Sequence, residues 1–280
     1  MDYIDLHLHS CKSDGTDTPQ EIVQKAVDLG LKAIAITDHD TVSGVLADQQ
    51  AGERLGMEVV AGIEVSSDYK DNNVHILGYF IDPFATALRP VLVWVKNERE
   101  KRNCKIVAMM QRDGFEISVE ELKEKYPNSV IGRPHMAELL MNKGYVSSVK
   151  EGFEKYLEVG RPYYLPKKRI SVREAVSAIE EAGGVAVLAH PLQYHYPENE
   201  VYELVETAKS AGVRAIEAYY SEHSEEDEKF VLSLAEKYSL AVSGGSDYHG
   251  PRKTHISMGS GTGRLRVPAA ALDGLKELRD

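Results

Sequence analysis

Two cysteines and a single tryptophan among 280 residues leave little material for a disulfide-stapled scaffold. One bridge, Cys11 to Cys104, is the most the chain could form, and nothing in their spacing suggests a thiolate metal site. No apolar run approaches the roughly 18 residues of a membrane span. The first residues (MDYIDLHLHS) hold acids and histidines where a secretory leader carries a basic patch and an apolar stretch. A cytoplasmic protein in a reducing compartment, without membrane contact or an evident obligate protein partner, is the expectation. Internal repeats and low-complexity segments are missing as well. What remains is the composition of a soluble globular protein, 42% hydrophobic and 28% charged, long enough for one large domain or two modest ones. The net charge of −11 is unevenly spread. Residues 86–170 carry 17 Lys+Arg against 11 Asp+Glu, whereas the rest carries 16 against 33. An acidic body therefore holds a basic stretch, which is either a solvated helical surface or a surface for an anionic ligand.

Short apolar runs alternate with amphipathic segments. Residues 4–8, 33–37, 57–65, 74–80, 185–189, 214–218 and 240–243 read as strands. Thr18-Pro19-Gln20-Glu21 opens a helix that Gly30 closes, Ser171-Val172-Arg173-Glu174 forms a capping box, and further helices are expected over 42–55, 198–211 and 224–238. Seven strands interleaved with helices predict a parallel α/β architecture, either a barrel or a doubly wound sheet. Between about 86 and 166 the apolar residues (Val91, Val95, Ile106, Met109, Met110, Met136, Leu139, Leu140) recur at helical spacing. The expected organisation is an α/β body, 1–85 and 167–280, with a helical cap subdomain inserted over 86–166.

Asp5-Leu6-His7-Leu8-His9 is the most informative segment. Alternation along a strand puts Asp5, His7 and His9 on one face, and three polar groups side by side in a core would all need partners, so a metal edge is the better reading. Similar groups follow other predicted strands: Asp38-His39, Glu64, His190 and Asp247-Tyr248-His249, with His75 inside a strand and Asp14 in a loop. Parallel α/β enzymes build their sites where the carboxyl ends of strands open on one face. Six histidines and four carboxylates exceed what one ion uses, so two or three divalent ions are expected. An N/O donor set without sulfur suits Mn, Zn or Fe alike. His195 and His255 read as surface residues.

These segments resemble the PHP (polymerase and histidinol phosphatase) superfamily. Its four motifs correspond to Asp5-Leu6-His7-Leu8-His9-Ser10 with Ser13-Asp14-Gly15, Thr37-Asp38-His39-Asp40, Ala189-His190-Pro191, and Gly245-Ser246-Asp247-Tyr248-His249. The resemblance spans the chain and implies a distorted seven-stranded (β/α) barrel holding three metals. By motif position it assigns His7, His9, Glu64 and Asp247 to one ion, Glu64, His75 and His190 to a second, and Asp14, His39 and His249 to a third. Asp14 stands where some relatives have histidine. The helical insert and Gly132-Arg133-Pro134-His135 resemble the branch that dephosphorylates nucleoside 3′,5′-bisphosphates and also trims short oligoribonucleotides from the 5′ end. Histidinol phosphate phosphatases are the nearest alternative.

A hydrolase of this kind needs no protein nucleophile, because clustered divalent ions activate water and draw charge from the phosphoryl oxygens. His223 is a candidate general acid for the leaving sugar oxygen, unless it merely begins a solvated acidic helix. Arg99 and Arg102 share a helical face, and Arg133 with His135 forms a second donor group. The resemblance points to the same two segments, so Arg102, Asn103, Arg133 and His135 are the expected contacts to a non-reacting phosphate. Arg99 and Lys101 pair more naturally with nearby glutamates. The tyrosine pairs Tyr163-Tyr164, Tyr194/Tyr196 and Tyr219-Tyr220 either stack a base or simply pack. A metal-dependent amidohydrolase would share the metal cluster but would not need Arg102 and Arg133.

Overall fold

A computed structural model describes residues 2–127, 129–166 and 168–279. The chain divides into two compact units, Met1–Leu92 with Arg169–Asp280, and Val93–Lys168. The sequence placed the insert over 86–166, with Lys167, where the body was expected to resume, lying outside the described residues.

The first unit is built on β1 (Tyr3–Leu8), β2 (Ala33–Ile36), β3 (Glu58–Tyr69), β4 (Asn72–Tyr79), β5 (Ile170–Ser171), β6 (Val185–Leu188), β7 (Ala215–Tyr220), β8 (Ala241–Gly245) and β9 (Val267–Pro268). Their order is β8-β7-β6-β4-β3-β2-β1-β9, with β5 pairing β3. The two ends of this order meet where Leu8 bridges Tyr248, the His9 N–H donates to the Tyr248 carbonyl (2.9 Å) and the Asp247 N–H to the His7 carbonyl (2.8 Å). The sheet is thereby a nearly closed barrel of the seven expected strands, and the doubly wound alternative is excluded. Two-residue strands β5 and β9 are additions.

The expectation of an all-parallel sheet is corrected at β4, which runs antiparallel to both β3 and β6. The reason is local. Lys70 and Asp71 both adopt positive φ (49° and 64°), so β3 turns back at once into β4 as a tight hairpin, leaving no room for a crossover helix. Glu64, expected at a strand end, lies mid-strand, because Ser66 and Ser67 continue β3 with their hydroxyls satisfied by Asp40 Oδ2 (3.0 Å) and the Val74 carbonyl (2.8 Å).

Strand faces bury apolar residues on both sides, as parallel strands covered by helices must. Ile4, Leu6, Ala33, Ala35, Val60, Leu77, Tyr79 and Val187 join one cluster; Leu8, Ile34 and Ile36 pack with Ile22, Val23 and Ala26 of helix Pro19–Asp28 in another. The capping boxes at Thr18/Glu21 and Ser171/Glu174 form as their sequences predict.

Helix Val45–Leu55 carries an anomaly. Asp48 is fully buried and neither carboxylate oxygen has a hydrogen-bond partner among the described residues. Burial pushes its pKa up to about 8 from an ordinary 3.8. A carboxyl that stays protonated when folded but ionises when unfolded costs stability progressively as pH rises from about 4 to about 8. Asp48→Asn is therefore expected to raise Tm at pH 8, by roughly 4 °C for a gain of ~2 kcal/mol, and to leave it unchanged at pH 4. Thermal melts at the two pH values check this; an equal effect at both would remove ionisation as the cause.

The second unit is helical, comprising most of Leu88–Arg112 together with Val119–Lys125, Arg133–Asn142 and Val149–Gly152, the last running into a wider turn at Phe153–Leu157. Ile106, Met110, Leu122, Met136, Leu139, Leu140, Leu157 and Tyr163 form its own core.

Candidate metal centre

The fold gathers nine residues at one rim of the barrel. His7 and His9 come from β1 and the residue after it, His39 follows β2, and Glu64 sits within β3. Asp14 lies in the loop after β1, His190 follows β6, and Asp247 and His249 follow β8. His75 lies early in β4, and because that strand is reversed, its beginning stands at the rim where its neighbours end.

Glu64 is the centre of the cluster. Its Oε2 lies 3.3 Å from His7 Nε2, 3.2 Å from His9 Nε2 and 2.9 Å from His39 Nδ1, while Oε1 lies 2.7 Å from His75 Nδ1 and 3.1 Å from His190 Nε2. Asp247 Oδ1 stands 3.2 Å from His9 Nε2 and 3.6 Å from His7 Nε2. Asp14 Oδ1 is 3.3 Å from His249 Nε2. Four groups have ligand atoms close enough to share an ion: His9, Asp14, His39 and His249; His7, Glu64 and His190; His7, His9 and Asp247; His39, Glu64 and His75. The grouping differs in detail from the motif assignment, since His9 also faces Asp14 and His75 stands beside His39.

The donor set fits divalent cations. Glu64 Oε2, Asp14 Oδ1, His39 Nδ1, His75 Nδ1 and His190 Nδ1 are buried without a hydrogen bond of acceptable geometry, although charged or ring neighbours stand within 2.7–3.3 Å of the first four. Buried polar atoms left in this state are costly unless something else satisfies them. Burial would raise Glu64, Asp14 and Asp247, but the surrounding imidazoles, joined by Lys253 for Asp247, hold all three well below the usual carboxylate range. Burial lowers His75 and His249 to about 4, leaving them as neutral imidazoles suited to ligation. Against the same desolvation, neighbouring carboxylates raise His9 to about 9 and hold His7 well above its ordinary range, so a cation binding there displaces protons.

Supporting groups that the sequence reading missed or misassigned surround this cluster. Glu217, buried in β7, accepts from His7 Nδ1–H through Oε1 (2.9 Å) and from the His190 N–H through Oε2 (2.8 Å). It fixes the His7 tautomer so that Nε2 faces inward, and it holds His190 in its left-handed backbone conformation, φ 24°. A lone acid within the apolar run Ala-Ile-Glu-Ala-Tyr-Tyr was the available signal. Asp5, expected on the metal edge, instead accepts from the backbone N–H groups of Ser246 and Gly259 (both 2.8 Å). Asp38, also counted as a ligand candidate, is taken up by the Ser10 N–H (2.8 Å) and the hydroxyls of Ser10 (2.6 Å) and Ser13 (2.5 Å). Tyr194 accepts from the His75 N–H (2.9 Å), and Tyr220 donates to Asp247 Oδ2 (2.8 Å), so these two tyrosines pack and position His75 and Asp247.

His223 is buried, which overturns the solvated-helix alternative. Its Nδ1–H donates to the Ala218 carbonyl (2.8 Å), burial lowers its pKa, and Nε2 has no partner among the described residues. In that tautomer Nε2 is an acceptor, so His223 is better arranged to receive a proton than to supply one. His195 and His255 are exposed, as expected.

Within the helical unit, Arg102 is 7% exposed and donates to Asn103 Oδ1 from Nη2 (2.8 Å), while Asn103 Nδ2 donates to the Ile131 carbonyl (2.8 Å). Arg133 donates to the Leu157 carbonyl (3.0 Å) with its guanidinium 5.1 Å from the Tyr164 ring centre. His135, expected to contact substrate, is fully buried: its Nδ1 accepts from the Gly132 N–H (3.0 Å) and its ring meets Tyr126 edge-on, so it shapes the turn that presents Arg133.

A barrel whose rim carries this histidine and carboxylate cluster defines a metal-dependent hydrolase, and the chain belongs to the PHP domain family, whose profile matches residues 5–165. Its activity class is that of a metal-dependent phosphoesterase. It is 35% identical over 253 residues, 90% of this chain and 88% of the relative, to the 3′,5′-nucleoside bisphosphate phosphatase of Chromobacterium violaceum. It is 32% identical over 271 residues, 95% of this chain and 99% of the relative, to the phosphoribosyl 1,2-cyclic phosphate 1,2-diphosphodiesterase of Eggerthella lenta. A crystal structure from Bifidobacterium adolescentis, described as a metal-dependent phosphoesterase, covers 99% of this chain and 96% of its own at 27% identity, with a TM-score of 0.89. No described helix is long and apolar enough to cross a membrane.

Proposed function

We propose that the enzyme hydrolyses a phosphoester on a ribose that carries a second phosphate, and that its substrate is a nucleoside 3′,5′-bisphosphate cleaved at the 3′ position. The observation that carries this reading is the Glu64-centred cluster, in which one carboxylate reaches five imidazoles through its two oxygens. His7, His9, Asp14, His39, Glu64, His75, His190, Asp247 and His249 would hold two or three divalent ions, Mn, Zn or Fe. Such ions lower the pKa of water and offset charge on the phosphoryl oxygens. Glu217 keeps His7 and His190 in register, and His223 Nε2 offers an acceptor for a proton. Arg133, with Arg102 and Asn103, is assigned to the second phosphate. Both curated relatives, by their names, act on phosphorylated ribose derivatives, which supports the choice over histidinol phosphate.

The test is a comparison of kcat/KM on Mn-loaded protein for a nucleoside 3′,5′-bisphosphate, the matching 3′-monophosphate, histidinol phosphate and a short 5′-phosphorylated RNA. The bisphosphate is expected to exceed both monoesters by at least about tenfold, the worth of one charge-assisted contact. A leading rate for histidinol phosphate would sink the proposal. A leading rate for the RNA would move the substrate to the polymer.

A further inference from the structure

The two oxygens of Asp247 are treated differently. Oδ1 faces His7 and His9, whereas Oδ2 accepts from the Tyr220 hydroxyl (2.8 Å) and from Lys253 Nζ (2.7 Å). Tyr220 is buried, but the Lys253 side chain is 35% exposed. Orienting a carboxylate takes one N–H. An ammonium has three, and Asp247 is the only hydrogen-bond partner the Lys253 ammonium has among the described residues.

The lysine is also held in place. It ends the short turn Gly250–Lys253 that follows His249, and Pro251 restricts the backbone there. Its neighbour Arg252 donates from Nη1 to the carbonyls of Asp14 (2.7 Å) and Gly15 (3.1 Å), tying the turn to the loop that supplies Asp14. Lys253 is thus a fixed cation at the mouth of the acid cluster, within electrostatic reach of Asp14 and Glu64 as well as Asp247. A phosphomonoester brings up to two negative charges to a site that already holds three ionised carboxylates, and a compact ammonium suits a single phosphoryl oxygen.

We propose that Lys253 is a catalytic residue whose ammonium keeps one N–H on Asp247 and gives another to a non-bridging oxygen of the scissile phosphoryl group. The inference rests on the metal site proposed above and not on which ribose ester is the substrate. Its test therefore uses inorganic phosphate, the product of any phosphomonoester. Titration calorimetry of phosphate into metal-loaded wild type, Lys253→Met and Lys253→Arg is combined with metal analysis of the same samples and with kcat and KM on the best ester of the substrate panel. The Met variant should keep its metal content, bind phosphate at least about tenfold more weakly and lose at least about tenfold in kcat. The Arg variant should recover part of the phosphate affinity. Unchanged phosphate affinity in Lys253→Met would overturn the proposal. So would loss of metal in step with loss of affinity, because Lys253 would then act only by orienting Asp247.

Discussion

Glu64→Gln is expected to abolish turnover, by about 10³-fold or more in kcat/KM, and to leave fewer than two divalent ions on a chain that still folds. The magnitude follows from position. Glu64 Oε2 serves His7, His9 and His39 while Oε1 serves His75 and His190, so the side chain belongs to two of the four candidate ligand groups and touches residues of the other two. An amide replaces one oxygen with a donor that opposes imidazole lone pairs and weakens the other as a ligand. Losing ~4 kcal/mol of transition-state stabilisation is roughly a thousandfold. Folding survives because the backbone of Glu64 keeps its place in the β3–β4 ladder, opposite Leu77. Metal analysis of gently purified protein, circular dichroism and steady-state kinetics together check the prediction. Wild-type protein that is fully active with one ion per chain would refute the shared-ligand reading.

Arg133→Ala should erase most of the preference for a 3′,5′-bisphosphate over its 3′-monophosphate. Arg133 is tethered by the Leu157 carbonyl and packed near Tyr164, so its guanidinium has little rotamer freedom left to lose on binding. A charge-assisted contact of this kind is worth on the order of 1.5–3 kcal/mol, or about tenfold to over a hundredfold in kcat/KM. The mutant's loss should appear with the bisphosphate and hardly at all with the monophosphate. Arg102→Ala is a harder test to read, since Arg102 is buried and held by Asn103 and its removal also disturbs packing. Equal losses of Arg133→Ala on both substrates would show that the arginine supports the helical unit and reads no phosphate.

How much of this was legible depends on range. The His-x-His alternation of β1 and the capping residues at Thr18 and Ser171 act over a few positions, and the sequence reading placed them correctly. Strand direction is not local, yet the hairpin left a trace. Only a short polar segment, Ser66 to Asn73, separates the two apolar runs, too short for a crossover of a dozen residues. Reading it as a turn would have reversed β4. Asp38 and His39 are adjacent, and only the phase of the chain after β2 decides that Asp38 turns to Ser10 and Ser13 while His39 turns to Glu64. His135 reads as a phosphate contact by type but is buried, with its Nδ1 held by its own turn. Lys253 carried no sequence signal, because its partner is Asp247, met across a proline turn whose direction only the fold sets.

The barrel closes where β1 meets the segment after β8, through few backbone hydrogen bonds, and His7, His9, Asp247 and His249 straddle that seam. On a ribosome the first two and the last two of these residues are made far apart in time. At about 5–20 residues per second, the first strand waits on the order of ten to fifty seconds for the neighbour that completes its ligand set. Assembly of this set of side chains is therefore tied to emergence of the segment after β8. The early histidines emerge without these partners, and the segment after β8 both shuts the barrel and completes the cluster.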